Sequence, residues 1–198
     1  MSSTPAPVVT DLDERGWTLI DDDEDVRVEL PTVRVLARTL VYADESLRDR
    51  VREATGVDHT WRFFFATRLA FDPPLPPITG AASVYGSVRS EARDAFVADL
   101  RDRGVEGIER GRTERTRTET GDRLSLTRYR GRYRLDRNGD PVRVPVAGLL
   151  GVWTTEGEFR LAGGCYPDGS LAATLGGAPE TNPNRFRTDL VDLVRAVR

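Results

Sequence analysis

Residues 123–136 read RLSLTRYRGRYRLD, and the beat of that stretch decides the fold. Arginine stands at every second position, Arg128, Arg130, Arg132 and Arg134, while Tyr129, Tyr133 and Leu135 take alternate places. Successive side chains of a β-strand point to opposite faces. The spacing therefore predicts guanidinium groups on the wet side and phenol rings against an interior. The same rhythm begins at Val105 with VEGIERGRTERTRTE and continues through VRVPVAGLLGVW (142–153) and EFRLAGGCYP (158–167). Thr120-Gly121-Asp122, Asn138-Gly139 and Glu156-Gly157 supply turns between these runs. Four consecutive strands joined by short turns make an antiparallel meander.

Upstream, Val33 to Ala43 is rich in β-branched and large apolar residues and reads as a strand. Asp44 then suits the N-cap of a helix over 45–55, with Leu47, Val51 and Ala54 at helical spacing and Gly56 at the exit. The most apolar stretch, WRFFFATRLAF (61–71), reads as a central strand, ended by four prolines between Asp72 and Gly80 that lack backbone donors. Ser90 looks like the cap of a second helix over 91–103, with Ala92, Ala95, Phe96, Val97 and Leu100 inside and Gly104 as its stop. A last helix starts at Asn182-Pro183 and carries Phe186, Leu190, Leu193, Val194 and Val197. Residues 1–10 are small, polar and proline-containing, and are expected to be disordered. The expected architecture over 11–198 is α+β: a single layered domain, an antiparallel sheet with a C-terminal four-strand meander packed by about three helices.

Composition narrows the classes. The 198 residues include 29 basic and 32 acidic ones, net charge −3, and every basic residue is arginine. No apolar run approaches the roughly 18–20 residues that span a bilayer. The start, MSSTPAPVVTDLDERGW, lacks the basic-then-apolar order of a secretory signal. The expectation is a cytoplasmic protein without a membrane span. One cysteine, Cys165, leaves no disulfide framework and no multi-cysteine metal site. Charge is uneven: residues 1–100 hold 11 Arg and 18 acidic residues, residues 101–198 hold 18 Arg and 14 acidic residues.

Between Arg110 and Arg137, ten of 28 residues are arginine and four are acidic. The register of the first hairpin decides what surrounds the ladder. A three-residue loop at 120–122 sets Glu119 opposite Arg123 and Arg112 opposite Arg130, giving a face of Arg110, Arg112 and the four ladder arginines with Glu114 as its acid. A two-residue loop sets Glu109 opposite Arg132 and a milder face. The functional reading is a basic platform for phosphates, with Arg112, Arg128, Arg130, Arg132 and Arg134 as the binding residues. The plainer reading is a solvated outer face whose arginine stems cover the sheet. Tyrosines alternating away from the arginines argue against a base-stacking platform.

Other constellations lead to no chemistry. Asp136, Asn138 and Asp140 have the spacing of a calcium loop, but Pro141 stands where glycine is needed and Ala147 where the closing glutamate belongs. The run Asp21–Asp25 lacks a shaped loop. His59, the single histidine, has no second imidazole to share a metal with. A Cys165/His59 nucleophilic pair would need spatial proximity, and the thiol reads first as a packing residue. Gly163-Gly164 and Gly176-Gly177 read as backbone flexibility, since no GxSxG, P-loop or GxGxxG is present. No catalytic residue, metal or cofactor is assigned.

The stretch GRYRLDRNGDPVRVPVAGLLGVWTTEGEFRLAGGCYP looks like a set of uncharacterised haloarchaeal proteins, several of them lipoproteins. Over about residues 84–198 the helix, meander and terminal helix resemble the PsbP-like α/β fold. This chain has no N-terminal lipobox cysteine, unlike the lipoprotein members. The resemblance implies a non-enzymatic adaptor or binding role and carries over no functional residue. The leading expectation is thus a non-enzymatic binding or adaptor module whose partner is another protein. The first alternative is a nucleic-acid or polyphosphate binder using the arginine face. The second is a carrier of a small apolar ligand, held between the sheet and the Pro73–Pro77 loop.

Overall fold

A computed structural model describes residues 4–9, 12–29, 34–75, 80–137 and 139–198. Seven antiparallel strands form one sheet: β1 (Thr18–Glu29), β2 (Arg34–Ala43), β3 (Phe63–Asp72), β4 (Val105–Arg117), β5 (Arg123–Arg137), β6 (Asp140–Thr155) and β7 (Glu158–Pro167). Their spatial order is β1-β2-β3-β7-β6-β5-β4, so the expected meander is present and β7 closes it against β3. The helices are α1 (Glu45–Thr55), α2 (Gly80–Asp102), α3 (Leu171–Leu175) and α4 (Pro183–Ala196). The expected α+β class holds.

The two faces of the sheet carry different helices. On one, Phe96 of α2 meets Phe65 at 5.7 Å and Tyr129 at 5.2 Å between ring centroids. On the other, Val194 and Leu190 of α4 lie beside Gly151 and Gly164. Gly163 and Gly164 do not serve as flexible points: a Cβ on either would run into the backbone carbonyl of Leu149 or Phe63. The pair lets β6, β7 and β3 approach in the centre of the sheet.

Local chemistry explains α1. The Asp44 carboxylate accepts from the Leu47 amide at 2.9 Å, and Gly56 takes the left-handed conformation that ends α1. The same carboxylate binds Arg62 at 2.8 Å. Arg62 is buried, has Asp189 at 3.4 Å, and lies over the Phe186 and Trp17 rings at 4.1 and 4.9 Å.

Three elements differ from the sequence expectation. The run Asp21–Asp25 lies inside β1, an edge strand with exposed carboxylates. Acidic residues have poor strand propensity, but pairing to β2 and the two hydrogen bonds from Arg38 to Asp22, at 3.0 and 2.9 Å, hold them there. The second helix starts at Gly80, ten residues before the expected Ser90 cap. Glycines and β-branched residues weaken that half intrinsically. Tertiary contact outweighs them, because the Tyr85 ring stacks on Phe159 at 5.9 Å and its hydroxyl donates to the Val152 carbonyl. The short helix α3 was not anticipated; Ser170 caps it, and it buries Leu171 and Leu175. Residues 4–9, within the stretch expected to be disordered, make specific contacts: Val8 and Arg198 exchange both backbone hydrogen bonds at 3.0 Å.

Candidate anion-binding face

Tyr129 and Tyr133 are each 1% exposed, whereas the side chains of Arg130 and Arg134 are 64% and 61% exposed. The two-residue beat of β5 therefore separates rings from guanidinium groups as the sequence predicts. Arg132 is exposed as well, and Arg128 is half-buried. The hairpin register matches neither expected form. Its loop is 119–121, since Thr118 donates to the Asp122 carbonyl and Arg117 opposes Arg123. Two bulges in β4 then shift the pairing, one across Gly111-Arg112 and one across Gly107-Ile108. In consequence Glu109 opposes Arg130, Glu106 opposes Arg132, and Arg110 opposes Tyr129.

Cross-strand partners share a face, so Arg110 lies on the tyrosine side, away from the ladder. Arg112 sits in the bulge without a cross-strand partner and does not oppose Arg130. Gly131 makes the second bulge fit: a Cβ there would lie 2.5 Å from Val105. The platform of six arginines thus loses Arg110, and Arg112 no longer pairs across to Arg130.

Acids reach part of this ladder. Asp168 lies 3.6 Å from Arg128 and 3.5 Å from Arg130, and Glu106 lies 3.5 Å from Arg134. Among the described residues, no carboxylate pairs with Arg132. Among the described residues, the large exposed apolar side chains are Val8, Leu19 and Ile20. None of these is aromatic or on β5.

The structure adds two residues that the strand pattern did not single out. Arg130 opposes Ala147 and Ala147 opposes Tyr166, which puts Tyr166 on the ladder face. Tyr166 is 1% exposed and its hydroxyl has no hydrogen-bond partner among the described residues. Burial, with Asp168 adding, pushes this phenol up to about 12 against the pull of Arg128 and Arg187, so near neutral pH it keeps its proton. The Nε–H groups of Arg128 and Arg187 are likewise buried without an acceptor. Arg187, on α4, has Glu114 of β4 at 3.6 Å. A groove of about 170 Å³ runs beside it, lined by Glu114, Thr116, Leu126, Arg187, Thr188, Val191 and Asp192.

Buried polar groups in folded proteins are nearly always hydrogen-bonded. Here two guanidinium groups and a protonated phenol leave three donors without an acceptor. Asp168 and Glu114 each reach one of these guanidinium groups, and an anion with several acceptor oxygens would suit the three donors that remain. No sequence pattern links positions 128, 166 and 187. They converge because β7 neighbours β6, β6 neighbours β5, and α4 returns across this face.

The remaining candidates behave differently. His59 lies against Tyr133 and Trp61, with ring centroids 4.3 and 5.0 Å apart. Burial lowers its imidazole to about 4 and raises the Cys165 thiol to about 12. A protonated thiol is not a nucleophile, so Cys165 behaves as a packing residue. Tyr133 touches the His59 ring and exchanges a hydrogen bond with Cys165. Asn138 of the calcium-type spacing lies outside the described residues; the Asp136 carboxylate instead accepts from the Gly139 amide at 2.9 Å, as in a tight turn. Among the described residues, no group of three metal-ligating side chains is present, and no helix is long and apolar enough to cross a membrane. Pro76 and Pro77 of the expected apolar pocket lie outside the described residues. A cavity of about 330 Å³ is lined by Val9, Leu12, Asp13, Glu14 and Tyr42.

No curated protein and no solved structure matches the chain. Residues 5–198 match a domain of unknown function, DUF6517, and with nearly its whole length covered the chain belongs to that family.

Proposed function

We propose that the protein is a non-enzymatic binding module that seats an oxyanion borne by its partner, a phosphate or a closely similar group, at Arg128, Tyr166 and Arg187. One observation carries the reading: the Tyr166 hydroxyl is buried and unpartnered among the described residues, in the field of Arg128, Asp168 and Arg187, and the Nε–H groups of both arginines also lack acceptors. Arg130, Arg132 and Arg134 extend the positive surface outward from that point. The resemblance of residues 84–198 to PsbP-like proteins supports a binder over a catalyst. The free, buried Cys165 suits a reducing interior, in keeping with a cytoplasmic setting.

Thermal unfolding with and without inorganic phosphate tests it. Tyr166→Phe removes an unsatisfied buried hydroxyl, which costs about 1–3 kcal/mol when left unpaired. The variant is expected to melt higher than wild type without phosphate. Phosphate should raise the melting temperature of wild type by more than that of the variant. An equal phosphate response in both proteins would remove the reading.

Nucleic acid is the second reading, favoured by the exposure of Arg130, Arg132 and Arg134. It predicts RNA or DNA affinity that falls linearly with log salt and a flatter slope when two ladder arginines are replaced. No binding at low salt would end it.

A further inference from the structure

The opposite face of the same hairpin holds a second set of donors without acceptors, where α2 packs against β4. Arg93 of α2 directs Nη2 at the hydroxyls of Thr113 and Thr127, at 3.3 and 3.4 Å. These two threonines oppose each other across β4 and β5, with their hydroxyls 3.0 Å apart. Both accept from Arg93, and one donates to the other. The remaining hydroxyl proton is free to meet a ligand or water, because Thr113 is exposed. Two residues along β5, Tyr129 is 1% exposed and its hydroxyl has no partner among the described residues.

The charge around that phenol is one-sided. The first β4 bulge sets Arg110 opposite Tyr129 and so on the same face. Arg89 lies one helical turn before Arg93, and the Nε–H groups of both are buried without acceptors. Among the described residues, none of Arg89, Arg93 and Arg110 forms an ion pair. Of the charged groups acting on the Tyr129 phenol, Arg93 and Arg110 outweigh Asp94. Arg110 and Thr113 are exposed to water, whereas the Tyr129 hydroxyl and the Arg93 Nε–H are buried donors without a partner among the described residues. The site offers nothing to a cation.

We infer that Arg93, Tyr129, the Thr113/Thr127 pair and Arg110 form a second oxyanion site, distinct from the ladder face and suited to a tetrahedral group such as phosphate or sulfate. Such a group presents acceptor oxygens in several directions, as donors arriving from a helix and two strands require. A planar carboxylate has fewer, so acetate should be the weaker ligand. The bulge at Gly111-Arg112 then has a purpose, since it re-aims the chain so that Arg110 joins Tyr129.

The experiment is a titration of the full chain with inorganic phosphate, read on the ¹⁵N–¹H resonance of the Arg93 Nε–H. Sulfate and acetate serve as comparison anions. The expected result is a saturating shift for phosphate and sulfate. The phosphate Kd should weaken about tenfold in Tyr129→Phe, as expected for losing one hydrogen bond to a charged group. That variant should also melt at or above the wild-type temperature without phosphate, which separates a lost ligand contact from a damaged fold. A linear, unsaturated response, or an unchanged Kd in Tyr129→Phe, would overturn the inference. Tyr166→Phe should leave the Arg93 response intact. If the Arg128 and Arg187 signals titrate and Arg93 does not, this site falls alone. If only Arg93 titrates, the ladder-face reading falls and this one stands.

Discussion

Replacing His59 by leucine should flatten the acid dependence of stability. The imidazole is enclosed by the Trp61 and Tyr133 rings, and its Nε2 has no partner among the described residues. Burial, with the nearby Arg48 adding, lowers it from 6.5 to about 4, against the smaller opposing pull of Asp58. The folded state thus prefers the neutral ring, while the unfolded chain takes up a proton at about 6.5. Stability from this group is fully present above the unfolded value. It is lost as pH falls from 6.5 toward 4, because the unfolded state binds more protons there. At 1.36 kcal/mol per pK unit, the loss is at most about 3 kcal/mol, and residual solvent contact trims it. Urea melts at intervals from pH 7.5 down to 4.5 measure it directly. Wild type should lose stability with a slope approaching one proton across the window, and His59→Leu should lose distinctly less. Carboxylates away from His59, such as Asp22, held low by its hydrogen bond to Arg38, titrate in both proteins and cancel in the comparison. Parallel curves for the two proteins would refute the claim that His59 is buried neutral.

Three further outcomes follow from named contacts. Asp44→Ala removes both the α1 cap and the closer carboxylate of buried Arg62, so it should cost about 3–5 kcal/mol by chemical denaturation, well above the roughly 1 kcal/mol of an isolated cap. Asp44→Asn keeps the cap and should recover part of that loss. Gly164→Ala places a methyl against the Phe63 carbonyl in the centre of the sheet; it should lower the melting temperature more than Gly86→Ala, whose Cβ meets nothing within 4 Å. Cys165 should resist alkylation in the native state near neutral pH and react at the ordinary rate once unfolded, as thiol labelling with and without urea would show.

How far the fold was legible depended on whether its signals were local. The Asp44 cap, the Gly56 exit and the Asn182-Pro183 start are chemistry within one turn, and α1 and α4 lie where those residues place them. The alternation on β5 is equally local, which is why Tyr129 and Tyr133 face inward as expected. Register is different. Neither bulge in β4 has a marker stronger than an isolated glycine, yet the first sets Arg110 opposite Tyr129 and the second sets Glu106 opposite Arg132. The strand β1 was hidden because its five consecutive acidic residues carry no hydrophobic period; pairing with β2 and Arg38 holds it. The early turns of α2 were hidden because Tyr85 acts through Phe159, a residue more than seventy positions away.

The candidate site was legible only in its first member. Arg128 stands out in a periodic strand, but Tyr166 and Arg187 reach it through strand order and the return of α4. No spacing in the sequence links these three positions; strand order and the return of α4 do.

The most direct measurement is the ¹⁵N–¹H Nε–H spectrum of the arginines in the full chain as inorganic phosphate is added. The account predicts that the Arg128 and Arg187 signals move together and saturate at one common Kd, and that Tyr166→Phe weakens that Kd about tenfold. Signals that stay in place, or drift without saturation as those of an exposed arginine such as Arg52 would, contradict it.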